Sequence, residues 1–139
     1  MQKRFAYSAH EGDKDVVQVL APFIGNANAI VPIRIGNLFL YHTLRDSPMA
    51  YAIYNGHTEI IKLLAPLCDD YIWQDSSWKM SLIHCAVQKR QAEAIQILAP
   101  FMKNPNVGDR FRNTPICYAR NLMGFGPNHE VIQILEKLQ

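Results

Sequence analysis

The stretch His57–Leu67, HTEIIKLLAPL, starts as an amphipathic helix and then meets a proline. Ile60, Leu63, Leu64 and Leu67 recur at three- and four-residue spacing, which puts them on one apolar stripe. Proline has no N–H to give to the helical ladder and disfavours helical geometry in the residue before it. The interruption is not local to this segment. VVQVLAPF (16–23), IIKLLAPL (60–67) and AIQILAPF (94–101) are one pattern written three times, and VIQILEKL (131–138) is a fourth copy without Ala-Pro. Pro22, Pro66 and Pro100 therefore read as punctuation: each fixes where a helix ends, so that the chain can leave and begin the next unit in register.

Upstream of each copy lies a second pattern: FAYSAHEG (5–12), SPMAYAIYNGHTE (47–59), SLIHCAVQKRQAE (81–93) and TPICYARN (114–121). The interval from Ser47 to Ser81 matches that from Ser81 to Thr114 to within one position. Ser47, Ser81 and Thr114 suit helix N-caps, with Pro48 and Pro115 at the first helical position, where a missing N–H costs nothing. Gly56 ends the first helix of its unit and Thr58 suits a cap for the second. Each unit is thus a helix–turn–helix, too short to stand alone, whose apolar faces need neighbouring units to cover them.

These residues resemble the ankyrin repeat, a unit of about 33 residues with Thr-Pro-Leu-His opening the first helix and Gly-His-x-Glu opening the second. SPMAYAIYNGHTEIIKLL matches best, with Ala50 in the histidine place; SLIHCAVQKRQAEAIQIL keeps His84 but lacks the proline and glycine; NTPICYAR has Cys117 at the histidine place. The resemblance covers about residues 3–138. It implies an all-α solenoid of stacked helix–turn–helix units with protruding loops or β-hairpin fingers. One domain, 1–139, divides into units near 1–24, 42–68, 76–102 and 109–139, with an extended linker at 25–41. His57 and His84 fall where the family uses histidine to hydrogen-bond loops and neighbouring units.

Two departures stand out. The linker from Phe23 to Ser47 is much longer than those from Leu67 to Ser81 and from Phe101 to Thr114, which nearly equal each other. The longer linker is apolar (Ile30, Val31, Ile33, Ile35, Leu38, Phe39, Leu40, Tyr41), and a lengthened hairpin turning at Gly36-Asn37 would account for it. In the last unit, LMGFGPNH (122–129) adds residues between the two helices.

The totals fit one ordinary domain. The chain has 139 residues, 49% of them apolar and 19% charged, with a formal net charge of +2. That charge is too mild to imply nucleic acid, and no run reaches the about eighteen apolar residues of a membrane span. The N-terminal MQKRFAYSAHEGDKD has no apolar core, so it does not read as a signal peptide. Cys68, Cys85 and Cys117 are an odd set without metal spacing, which favours free thiols and an intracellular, cytoplasmic or nuclear, location.

Little of the sequence asks for chemistry. GFG (124–126) lacks the third glycine and preceding strand of a dinucleotide loop. His57, His84 and Cys85 have no ligand spacing, and His84 and Cys85, adjacent on a helix, do not share a face. Asp69 and Asp70 pair two carboxylates in a linker, where solvation is the plain reading. No nucleophile–base pair emerges, so no catalysis, metal or cofactor is expected.

Recognition is the expected role. The family carries it on finger tips and late in each first helix, forming a concave surface. Mapped onto this chain, the helix positions include His10, Tyr54, Asn55, Gln88, Lys89 and Asn121. The finger positions include Thr43, Leu44, Asp46, Ser77, Trp78, Met80, Arg110, Phe111 and Asn113. Tyr54, Asn55, Trp78, Met80, Lys89, Arg110, Phe111 and Arg112 are the candidate partner-binding set, because aromatics and arginine are enriched at interfaces. Trp73 suits a plug beneath its finger better than a contact. The expected partner is another protein or peptide, with no small-molecule substrate and no membrane; basic residues near DRFRN (109–113) would suit an acidic peptide. Two alternatives compete. The chain is a structural or regulatory fragment of a larger ankyrin assembly, self-associating through 25–41. Or Arg110, Phe111 and Arg112 serve a nucleic acid by stacking and phosphate contact.

Overall fold

The computed structural model describes residues 2–29, 31–34, 43–68, 71–72, 78–121 and 128–139, with backbone alone at 31–34 and 43–46. Its helices are α1 (Gln2–Glu11), α2 (Lys14–Leu20), α3 (Pro48–Asn55), α4 (Thr58–Leu64), α5 (Leu82–Gln88), α6 (Ala92–Leu98), α7 (Pro115–Asn121) and α8 (His129–Lys137). They pair in sequence order as four antiparallel units. α1, α3, α5 and α7 stack side by side in one row, and α2, α4, α6 and α8 in a second. Each helix touches its partner in the pair and its counterpart in the next unit, so a single core runs the length of the stack. The fold is an all-α repeat.

Local chemistry sets the helix ends. Ser47 Oγ accepts from the Ala50 amide at 3.0 Å. Ser81 accepts from the His84 amide at 3.3 Å while His84 Nδ1 accepts from the Ser81 amide at 3.0 Å, a reciprocal cap with histidine in the usual acidic place. Thr114 behaves differently: its hydroxyl donates to Cys117 Sγ at 3.3 Å. Gly56 sits in the left-handed region (φ 68°), and its N–H reaches the Ala52 and Ile53 carbonyls, closing α3. Thr58 does not cap α4. It is the first helical residue, and His57 holds the cap position with its ring directed elsewhere.

The Ala-Pro signal ends α2, α4 and α6 through one of the two expected effects of proline and not the other. Ala21, Ala65 and Ala99 all remain right-handed helical (φ −51° to −54°), so the residue before proline is not expelled from the helix. The small alanine tolerates the proline ring, and the ladder fails through the missing N–H instead. The chain tightens into a single 3-10 turn at 21–23, 65–67 and 99–101, then turns extended at Ile24, Cys68 and Met102.

The long linker does hold a hairpin. β1 (Val31–Arg34) pairs antiparallel with β2 (Thr43–Asp46), Val31 opposite Asp46 and Arg34 opposite Thr43, and β1 lies beside α1. The Gly36-Asn37 turn and the apolar residues 35–41 lie outside the described residues. Ahead of the hairpin, the linker is built into the stack. Ala27 and Asn28 are fully buried. The Ala27 amide donates to the Leu67 carbonyl and the Met49 amide to the Ala27 carbonyl, each at 3.1 Å. The Asn28 side chain accepts from Ser47 Oγ and donates to the Ile72 carbonyl, both at 2.8 Å. These two residues are therefore not a free surface for a second copy.

The later linker Asn104–Val107 repeats the scheme with one substitution. Asn26 and Asn104 both accept, through Oδ1, the amide two residues on. Pro105 stands where Ala27 supplies its amide, and the neighbouring Asn106 carboxamide takes over, donating to the Leu138 carbonyl at 2.8 Å.

Leu64 and Leu98 are fully buried, with Leu63 and Ile97 half-buried beside them. Replacing Leu64 by Ala is expected to lower the unfolding free energy by about 3 kcal/mol, the range for an apolar core truncation. Val19, 68% exposed on α2, should change it by less than about 0.5 kcal/mol on the same substitution. Urea midpoints of the two variants test the difference.

Candidate functional site

The finger between α6 and α7 carries Arg110, Phe111 and Arg112 of the candidate surface. Its geometry comes from Asp109. The carboxylate is buried under its own loop and accepts the Phe111 amide at 2.8 Å, the Asn113 amide at 2.9 Å and the Tyr118 hydroxyl at 2.7 Å. The Asp109 amide in turn donates to the Asn113 carbonyl at 2.9 Å, closing the turn. Burial works to raise this carboxyl, but the bonds from Tyr118, Asn113 and Phe111 outweigh it and hold it below its ordinary value. Burial, and then the bond to Asp109, push Tyr118 up to about 12.

His84 anchors the same finger from the neighbouring unit. Its Nδ1 accepts from the Ser81 amide, so the ring proton sits on Nε2, which donates to the Asn113 carbonyl at 2.9 Å. Burial pushes the imidazole below its ordinary value despite the nearby Asn113 carbonyl and Asp109 carboxylate. The ring also meets Tyr118 edge-on, centroids 5.0 Å apart. His57, in the turn between α3 and α4, fastens units at the other end of the first helices, donating from Nε2 to the His10 carbonyl at 2.9 Å. Both histidines thus fasten units together, as the resemblance implied.

Upon this frame the finger presents one ring of an aromatic pair, and the preceding finger supplies the other. Trp78 and Phe111 lie edge-to-face with centroids 5.4 Å apart, and they are 53% and 62% exposed. The Arg110 amide donates to the Trp78 carbonyl at 2.7 Å, so adjacent fingers are joined through backbone as well as rings. From Trp78 the surface runs back to the first helices: Gln88 Nε2 lies 3.9 Å from Met80 Sδ, and next to it Lys89 Nζ stands 4.8 Å above the Tyr54 ring. Asn55 is exposed, but its carboxamide donates to the His10 and Tyr51 carbonyls at 3.2 and 3.0 Å, which gives it a seam between α1 and α3 to hold.

Most of the candidate set is thereby brought onto one continuous surface, with one correction. Met80, expected at the finger surface, is buried at 5% exposure. It occupies the position just before the Ser81 cap, where an apolar side chain folds back onto the helix that follows. That position is readable in the sequence. Asp109 was missed for a different reason: an acid beside an arginine, Arg110, reads as solvated, and its depth depends on Tyr118. Ser77, Trp73 and residues 122–127, GFG included, lie outside the described residues, as do the side chains of Thr43, Leu44 and Asp46.

The backbone marks three residues of this region. Lys79, Arg90 and Arg112 have φ of 55°, 56° and 67°, the only positive values outside glycine among the described residues. A side chain in that region costs about 1 kcal/mol.

Among the described residues no three or more His, Cys, Asp or Glu side chains converge as a metal site would need. Cys68, Cys85 and Cys117 are free thiols; Cys85 is buried and the other two are half-buried. A family model described as ankyrin repeats (3 copies) matches residues 49–137. No curated protein matches the chain.

Asp109→Ala is expected to cost about 2 kcal/mol, since the Tyr118 hydroxyl and two amides lose their acceptor. Tyr118→Phe, which keeps the ring against His84, should cost about 1 kcal/mol. Because the folded carboxyl titrates lower than the unfolded one, its contribution is full above the ordinary carboxylate value. It declines as the pH falls below that value and is gone beneath the folded one. Denaturant titrations of wild type and Asp109→Asn should therefore differ most near neutrality and converge in acid.

Proposed function

Because the chain belongs to the ankyrin-repeat family, whose members are generally protein–protein interaction modules, we propose that it binds another protein with the surface built from its fingers and first helices, and has no catalysis of its own. The observation that carries this reading is the Trp78–Phe111 pair. Two large rings more than half exposed sit on adjacent fingers joined by the Arg110–Trp78 backbone bond, with the Phe111 loop held from beneath by Asp109 and His84. Exposed aromatics on a pre-organised frame lose little freedom on binding, which is what a binding hot spot needs. Tyr54 and Lys89 extend the surface onto the helices. The resting place of the partner is a peptide or folded surface, not a small molecule.

The three free thiols suit a reducing, intracellular setting. Among the described residues no helix is long and apolar enough to cross a membrane.

Trp78→Ala is expected to weaken a confirmed partner by about 2 kcal/mol, roughly thirtyfold. Circular dichroism and the urea midpoint should stay near wild type, because the ring is exposed. Titration calorimetry reads the affinity; an unchanged dissociation constant for both Trp78→Ala and Phe111→Ala would remove this face from the reading.

A further inference from the structure

Three of the region's residues occupy backbone that favours glycine, and all three are cations. Arg90 is the clearest case. It stands one repeat period after Gly56, which itself follows Gly12 at the same place in the preceding unit. Both glycines have positive φ, 84° at Gly12 and 68° at Gly56, and Arg90 adopts the same conformation at 56°. The turn after the first helix therefore keeps its shape while glycine is replaced by a residue that fits it poorly. Lys79 and Arg112 are also one repeat period apart, at matching places in successive fingers, and both are left-handed. Each directly follows the exposed ring of its finger, so Trp78-Lys79 and Phe111-Arg112 are the same aromatic–cation pair presented twice.

Backbone strain retained at an exposed position points to something other than folding. Here it coincides each time with positive charge. Lys79, Arg110 and Arg112 are exposed and form no ion pair with any described residue. The one carboxylate within the second finger, Asp109, is buried and turned inward. The ion pairs that Glu59 and Glu93 make lie with Lys14 and Lys62 at the second helices. Among the described residues, the charge of these three is therefore unanswered, although the whole chain carries only +2.

Building on the protein-binding reading above, we propose that the partner is an acidic protein segment bearing an aromatic or aliphatic side chain. Its carboxylates meet Lys79, Arg110 and Arg112 while its apolar side chain lies against the Trp78–Phe111 edge. Left-handed backbone sets the direction in which Lys79 and Arg112 leave their fingers, so the cations serve recognition at the expense of the fold. A formal net charge of only +2 favours a peptide over a nucleic acid.

The test uses the full chain and a random phage-displayed dodecapeptide library, with labelled oligo-dT as a second probe. Selected peptides should be enriched in Asp and Glu together with an aromatic or Leu. Synthetic versions with Gln and Asn in place of the acids should bind at least tenfold more weakly. The double variant Lys79→Gly/Arg112→Gly should lose at least tenfold affinity for the acidic peptide while its Tm rises by roughly 2–4 °C, because glycine relieves the strain. Rising stability separates loss of recognition from loss of fold. Selected peptides without acidic bias, undiminished binding by the double variant, or oligo-dT binding tighter than any peptide would overturn the acidic partner. Peptides of neutral composition that still depend on Trp78 would leave the protein-binding reading standing, whereas no selectable peptide at all would bring down both.

Discussion

Each unit can hide its apolar stripe only against the next unit along. Helices of seven to ten residues do not persist alone, and in this chain every described helix packs on a partner and on its counterpart in the adjoining unit. The constraint explains why the sequence has to repeat. A pair with a different length or exit angle would leave Leu64 or Leu98 without cover. It also explains the Ala-Pro signal, since register survives only if the second helix of each unit ends at the same residue. Alanine lets that residue stay helical, proline withholds the next donor, and the chain departs after one 3-10 turn.

Apolar burial sets the stack, and a small number of buried polar groups set its detail. Asn28, Ser47, Ser81, His84 and Asp109 are buried, and each has a partner in a loop or on a neighbouring element. They fix where loops sit relative to helices, which non-directional packing leaves open. The exchange at Pro105 shows how tightly this is held. Where the backbone amide is lost, the carboxamide of Asn106 makes the bond to the next helix end instead. The neutral state of His84 belongs to the same economy of charge. Burial depresses its imidazole, so the fold favours the uncharged ring, and the stability tied to it is present above the ordinary imidazole value and lost as pH falls through the folded one.

Much of this architecture could be read from residues alone. The recurrence of one pattern at a fixed period gives the units, and Ser47 and Ser81 give their starts. The roles of His57 and His84 were legible only through the family resemblance, because nothing in spacing says which carbonyl a ring will meet. The site was less legible than the fold. Trp78 and Phe111 could be placed on fingers, but their contact depends on the distance between two loops. Asp109 and Met80 show the two directions of error. An acid looks exposed until the groups that solvate it, Tyr118 and the amides of Phe111 and Asn113, are brought round by the turn. An apolar residue on a finger looks like a contact until the next helix reclaims it.

The backbone bond from Arg110 to the Trp78 carbonyl has a consequence for how this surface could change over time. It couples two loops from successive units, so an insertion in one that is not matched in the other would tear the seam and pull the rings apart. The two loops are free to vary only together, as a single plate. The first linker, with its extra residues carried in the β1–β2 hairpin, is the place where length could be added without that penalty.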